Sequence, residues 1–211
     1  AIPPILRPGI DTSLFTPGHK AGTIKIAWMP RKNKALAQQI REVFQARQSL
    51  QSGPKVEWIP IHGLTREQVA QELGRAHIFL ATGFPEGGPL PPLEAMASGC
   101  LCVGFGGFGG WDYMRQAVGS ESGQRFSPWW PLRPEQQTPW AATGNGLWCA
   151  DADVAGAAFA LEEAVAWMHT NDPRLETTLA GARKTAVRYD LQSHERTVLT
   201  LWEQIGQGTL F

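Results

Sequence analysis

Short runs of β-branched and aromatic residues alternate with amphipathic helical stretches along this chain, and that alternation limits what it can fold into more than any other feature. Residues 24–29 (IKIAWM) are rich in strand formers. They precede a helical stretch, KALAQQIREVFQARQ, in which Ala35, Leu36, Ile40, Val43 and Phe44 form one apolar stripe. VEWIPI (56–61) reads as the second strand. Thr65 and Gln68 then form a capping box that opens the helix TREQVAQELGRA, with Val69 and Leu73 facing inward. HIFLAT (77–82) is a third strand, PPLEAMAS (91–98) a short helix ended by Gly99, CLCVGF (100–105) a fourth strand and GLWCA (146–150) a fifth. Asp153 caps a helix running to about His169, Pro173 starts another, and Ser193 opens the last, through Trp202 and Ile205. The interval 127–145 is neither strand nor helix, and no internal repeat is visible.

Alternating β and α elements with apolar strands imply an α/β, Rossmann-like parallel sheet with helices on both faces. Ligands of such sheets bind outside the carboxyl ends of the strands. FPEGGPLPP follows HIFLAT directly and so lies at such an end.

The chain has 211 residues, enough for one well-buried core and too few for two full-sized domains, so residues 1–211 read as a single domain. Apolar residues are 43% and charged residues 18%, the balance of a folded globular chain. Nineteen basic residues match nineteen acidic ones, so no global field points to nucleic acid or an anionic membrane. No run reaches the roughly 18 apolar residues of a membrane span, and no signal-peptide pattern stands at the start. Cys100, Cys102 and Cys149 cannot form a disulfide framework and lack the second ligand pair of a zinc site; they read as buried reduced thiols in a cytoplasmic setting. The chain begins AIPP without Met, as if cut from something longer.

Several motifs resemble sites without completing them. GFGGFG (104–109) has the G-x-G-x-x-G spacing, but no second strand ends in an acidic residue about 20 positions on; its glycines fit a backbone passing close to a ligand or a neighbouring loop. Asp151 and Asp153 form a D-x-D pair in which Asp153 is better explained as a helix N-cap and Asp151 as a strand end. The five histidines show no metal-binding spacing, and there is no G-x-S-x-G or Walker loop. Trp129, Trp130 and Trp140 read as residues packing a Pro-rich loop onto the core rather than as a sugar clamp.

The informative pair is Glu86 and Glu94 in FPEGGPLPPLEAMASG (84–99). Pro91 or Pro92 suits a helix's first turn and Gly99 its end, while Leu93, Met96 and Ala97 face the sheet. Glu94 then points away from that face, in the first turn, where the helix dipole favours an acid. The dipole does not explain Glu86. Hydroxyl recognition explains both: a carboxylate accepts two hydrogen bonds from a diol, so one glutamate can read a ribose and the other a donor sugar. The helix start between them offers backbone N–H groups to a diphosphate. Arg31 and Lys32, after the first strand, and Lys34, at the next helix start, supply cations.

These pieces resemble the C-terminal, donor-binding domain of retaining GT-B glycosyltransferases, the large group that includes sucrose synthase and bacterial mannosyl- and rhamnosyltransferases. RPGIDTSLF (7–15) is similar to the segment that opens that domain, AWMPRKNK to its strand with Arg and Lys, RAHIFLATGFPEGGPLPPLEAMASGCLCV (75–103) to its E-x7-E motif, and GLWCADAD to its later strand. The resemblance runs from about residue 2 to residue 207. It implies that Glu86 contacts donor-sugar hydroxyls and Glu94 the ribose. It further implies that Arg31, with Lys32 or Lys34, stabilises the diphosphate, and that Gly87, Gly88 and Leu90 line the donor site. No metal or other cofactor is expected, and the substrate is a nucleotide-diphosphate sugar. Two departures stand out: Pro89 replaces a glycine of the family's E-G-F-G-L, and the acceptor-binding N-terminal domain is absent from this chain. The rival reading is a non-catalytic nucleotide-sugar-binding or scaffold module of a polysaccharide-assembly complex.

Overall fold

In the computed structural model the described residues are 6–51, 53–120 and 144–208. The AIPP start and the tryptophans Trp129, Trp130 and Trp140 lie outside them. Five strands, β1 (Ile24–Trp28), β2 (Val56–Pro60), β3 (Ile78–Ala81), β4 (Leu101–Phe105) and β5 (Gly146–Cys149), form one parallel sheet in the order β2-β1-β3-β4-β5. The helices are α1 (Lys34–Gln51), α2 (Arg66–Arg75), α3 (Leu90–Ala97), α4 (Val154–Thr170), α5 (Pro173–Arg188) and α6 (Leu191–Gly206), with a 3₁₀ turn at Gly109–Asp112.

β3 and β4 are buried along their whole length, as central strands covered on both faces must be. Successive side chains alternate between two cores. Ile26, Ile78, Leu101 and Val103 pack with Ile40 and Phe44 of α1 and Leu161 and Trp167 of α4. Ala27, Phe79 and Cys102 pack on the opposite face with Leu73 of α2, Leu93 and Met96 of α3 and Ala182 and Ala186 of α5. All three cysteines are buried and free, and burial pushes the Cys100 thiol up to about 11. No helix among the described residues is long and apolar enough to cross a membrane.

The capping box at Thr65 and Gln68 forms, and Asp153 caps α4 through the Gly156 N–H at 2.8 Å. The last helix starts earlier than Ser193: its cap is Asp190, which accepts from the Gln192 N–H (2.9 Å) and the Thr12 hydroxyl (2.5 Å). Both residues are good cap types. The choice is tertiary, because Ile10 pairs its backbone with Tyr189 and Leu191 and holds this turn.

His77 connects this frame to pH. Its Nδ1 accepts the Lys25 N–H at 3.1 Å, so the ring is neutral with its proton on Nε2. Burial, and then the charges of Lys20 and Lys25, holds its pKa below the ordinary 6.5. The unfolded chain therefore takes up this proton first; the contribution is complete above 6.5 and is lost as pH falls from there towards the folded value. We expect His77→Asn, which keeps an acceptor but cannot titrate, to flatten the decline of Tm between pH 7 and 5. An unchanged slope would assign that decline to another group.

Candidate functional site

The strand order reverses between β1 and β3, since β1 leads outward to β2 and β3 leads the other way to β4. The connections leaving such a point diverge and open a crevice at the carboxyl ends. Here they are laced together across it. Asn33, with φ 55°, donates its amide to the Thr82 and Phe84 carbonyls at 2.8 and 3.0 Å. The Thr82 hydroxyl donates to the Lys32 carbonyl at 2.6 Å. The Lys32 ammonium forms an ion pair with the Glu86 carboxylate, both groups being half-buried. Lys32, Thr82, Gly83, Glu86, Pro91 and Met114 are among the residues lining the crevice. A larger groove, about 820 Å³, lies along α5 and shares no residue with it.

Two further loops reach the same point. The Glu86 N–H donates to the Gly107 carbonyl (3.0 Å), the Gly109 N–H to the Glu86 carbonyl (2.8 Å), and the Gly107 N–H to Asp151 Oδ1 (2.8 Å). The first residue of the D-x-D pair is thus an anchor between the loops after β4 and β5, and its carboxyl is raised by burial. The glycines of GFGGFG allow this close passage: a β-carbon on Gly109 would sit 2.0 Å from the Gly87 carbonyl oxygen, and one on Gly107 2.7 Å from that of Gly83.

α3 begins at Leu90 with Pro89 as its N-cap, so Glu94 stands in the second turn and not the first. This corrects two expectations. The helix dipole no longer accounts for Glu94, and the helix start is a poor source of N–H groups. Pro89, Pro91 and Pro92 have none, leaving Leu90 alone among residues 89–92 as a backbone donor. The Pro89 carbonyl in turn accepts the buried Tyr113 hydroxyl at 2.6 Å. The C-terminal end behaves as its glycine implies, with Gly99 at φ 73° and the Cys100 N–H bonded to the Ala95 carbonyl at 2.9 Å.

Glu94 is half-buried, and its carboxylate has no hydrogen bond to a described residue. Burial raises its carboxyl, opposed by the positive charges of Arg66 and Arg31. Arg31 and Lys34 are exposed, as are Gly87 and Gly88, while Leu90 is half-buried. The structure therefore joins Lys32 to Glu86 and places Arg31 in the field of Glu94; Lys34 stands at the first position of α1.

Sequence reasoning missed Arg66 and Asn33. Arg66 opens α2 with its guanidinium 5.7 Å from the Phe15 ring centroid. A cation at a helix N-terminus opposes the macrodipole, and that local misfit was the available signal that a tertiary partner exists. Asn33 carried no such signal beyond its tolerance of a left-handed backbone.

The fold this defines is Rossmann-like, a parallel sheet with helices on both faces of the kind that forms one half of the GT-B fold. Solved structures similar to it are the C-terminal domain of a glycosyl transferase group 1 family protein (LpcC) from Francisella tularensis and the catalytic domain of starch synthase IV from Arabidopsis thaliana bound to ADP and acarbose. The first matches with TM-score 0.51 and 16% identity, over 87% of this chain and 100% of that one. The second matches with TM-score 0.53 and 15% identity, over 94% of this chain and 41% of that one. In sequence, 105 residues are 38% identical to an alpha-1,6-glucosyltransferase of Actinobacillus pleuropneumoniae serotype 7 (strain AP76), which is 49% of this chain and 31% of that protein. The chain thus matches about a third of that curated relative's length. No family model matches the chain.

Proposed function

We propose that this chain is the donor-binding domain of a retaining glycosyltransferase that takes a nucleotide-diphosphate sugar, acts with a separate acceptor-binding domain, and works in a reducing, cytoplasmic setting. The observation that carries this reading is Glu94: a half-buried carboxylate without a hydrogen bond to a described residue, in the field of two guanidinium groups. A carboxylate left so is an acceptor for a ligand's diol. The ribose fits that role, and Glu86 is the matching acceptor for donor-sugar hydroxyls. The names of the similar proteins, a glucosyltransferase and a starch synthase bound to ADP, support the same class.

The chemistry needs positive charge where the diphosphate leaves. Arg31 and Lys32 would supply it, with Lys34 adjacent, so no metal is required in this reading. The bond from the anomeric carbon to the diphosphate breaks, the acceptor hydroxyl oxygen bonds to that carbon on the same face, and the hydroxyl proton passes to the oxygen of the departing diphosphate. Lys32 begins paired with Glu86 and exchanges that carboxylate for the diphosphate when the donor binds.

The non-catalytic scaffold reading rests on one observation, the run of prolines that leaves Leu90 as the only N–H among residues 89–92. Calorimetric titration with UDP, GDP, ADP and TDP separates the two. The donor reading expects selective binding of one diphosphate and a loss of about tenfold in Lys32→Ala, the scale of one charge-assisted bond. A folded chain that binds none of the four would favour the scaffold.

A further inference from the structure

The Lys32–Glu86 ion pair is built into the frame of the crevice rather than added at its surface. Both side chains line the crevice, with exposures of 32% and 24%, and neither charged group has another hydrogen bond to a described residue. Both backbones are held. The Lys32 N–H donates to the Met29 carbonyl at 3.0 Å, and the Lys32 carbonyl accepts the Thr82 hydroxyl. The Glu86 N–H and carbonyl are both bonded into the loop after β4. Gly83 gives the carboxylate its room, since a β-carbon there would sit 3.1 Å from Glu86 Oε1. An exposed ion pair loses much of its gain to the ordering of two flexible side chains, and here the backbones that carry them are already ordered.

A ligand that draws Lys32 away leaves Glu86 as a half-buried carboxylate without a partner, which is costly. A nucleoside diphosphate can take the ammonium, but its phosphates bring only acceptors, and the donor reading places its ribose hydroxyls at Glu94. A hexose attached to it adds hydroxyls that can donate to Glu86. The intact conjugate thus replaces both halves of the pair, and the free diphosphate replaces one.

We propose that the Lys32–Glu86 pair is a discriminating latch. It makes the site prefer the intact sugar conjugate over the free nucleoside diphosphate, and so favours release of the diphosphate once the sugar is transferred. The inference rests on the donor reading, and its test keeps the two apart. Calorimetry measures UDP, GDP, ADP and TDP, and the glucose conjugate of each that binds, on wild type, Glu86→Gln, Lys32→Met and the double variant. Glutamine keeps the shape of Glu86 and removes its charge. In Glu86→Gln the diphosphate binds about three- to tenfold more tightly, the scale of coupling between paired side chains. The conjugate does not gain, because it loses the carboxylate's hydroxyl bonds as the pair disappears. In the Lys32→Met background, Glu86→Gln changes diphosphate affinity by less than about twofold, since no pair is left to break. Unchanged or weaker diphosphate binding in Glu86→Gln overturns the proposal. So does an equal gain in the Lys32→Met background, which marks simple repulsion between Glu86 and the phosphates, and so does an equal gain for the conjugate. Folded wild-type and Glu86→Gln chains that bind no diphosphate overturn the donor reading itself, and this inference with it.

Discussion

Glu94→Ala is expected to lower nucleoside diphosphate affinity by about 100-fold, the combined effect of two charge-assisted hydrogen bonds to a ribose diol. The free protein should respond in the opposite sense. Burial raises the Glu94 carboxyl above its ordinary value of 4.5, which means that the folded state disfavours the charged form. The sign follows from linkage: at neutral pH the ionised group destabilises the fold, and that cost fades as pH falls through the raised folded value and is gone below 4.5. Glu94→Gln should therefore melt higher than wild type at pH 7, with the gain shrinking as pH approaches 4.5. Thermal scans at the two pH values, paired with calorimetry, read both effects. Weaker binding together with greater stability marks a residue held for a ligand. Reduced stability with unchanged affinity would make Glu94 a structural residue and remove the main support for the donor site.

The second large effect is expected at Gly104. It pairs with Ala81 in the register of β4 on β3, is fully buried, and has φ 128°, a conformation that L-residues rarely adopt. A β-carbon there would lie 2.1 Å from the Ala81 carbonyl oxygen, which is backbone and cannot swing aside. Gly104→Ala must separate the two central strands or shift their register. We expect it to lose about 3–5 kcal/mol, a large share of the roughly 5–15 kcal/mol available to a domain of this kind. Urea denaturation measures it. A loss under about 1 kcal/mol would show that the strand pair relaxes locally. Because the loops holding Glu86 spring from these two strand ends, survivors of this variant should also bind diphosphate more weakly.

The alternation of strand and helix was readable residue by residue, because period-two and period-3.6 patterns report burial directly. Each predicted strand is present, shortened by a residue or two at the ends, and the caps at Thr65, Asp153 and Gly99 are local chemistry that a sequence states openly. The start of α6 was not readable, since Asp190 and Ser193 are equally good caps and Ile10 decides between them from the far end of the chain. The same limit applies to the site. Glu86, Glu94, Arg31 and Lys32 could be named from their types and spacing, and the glycines of GFGGFG were rightly set aside as passages for the backbone.

Three things were settled only by folding. The start of α3 at Leu90 moved Glu94 out of the first turn and into the second. Lys32 closed on Glu86 rather than standing open, because Asn33 and Thr82 draw the two loops together. Arg66, from a different strand's end, brings a second positive charge into the field of Glu94. Sequence by itself determined the elements and the charged groups, since both depend on residue type and local period. Tertiary structure decided which charges meet, because distance across a sheet is set by strand order and loop register, and neither is a property of neighbouring residues.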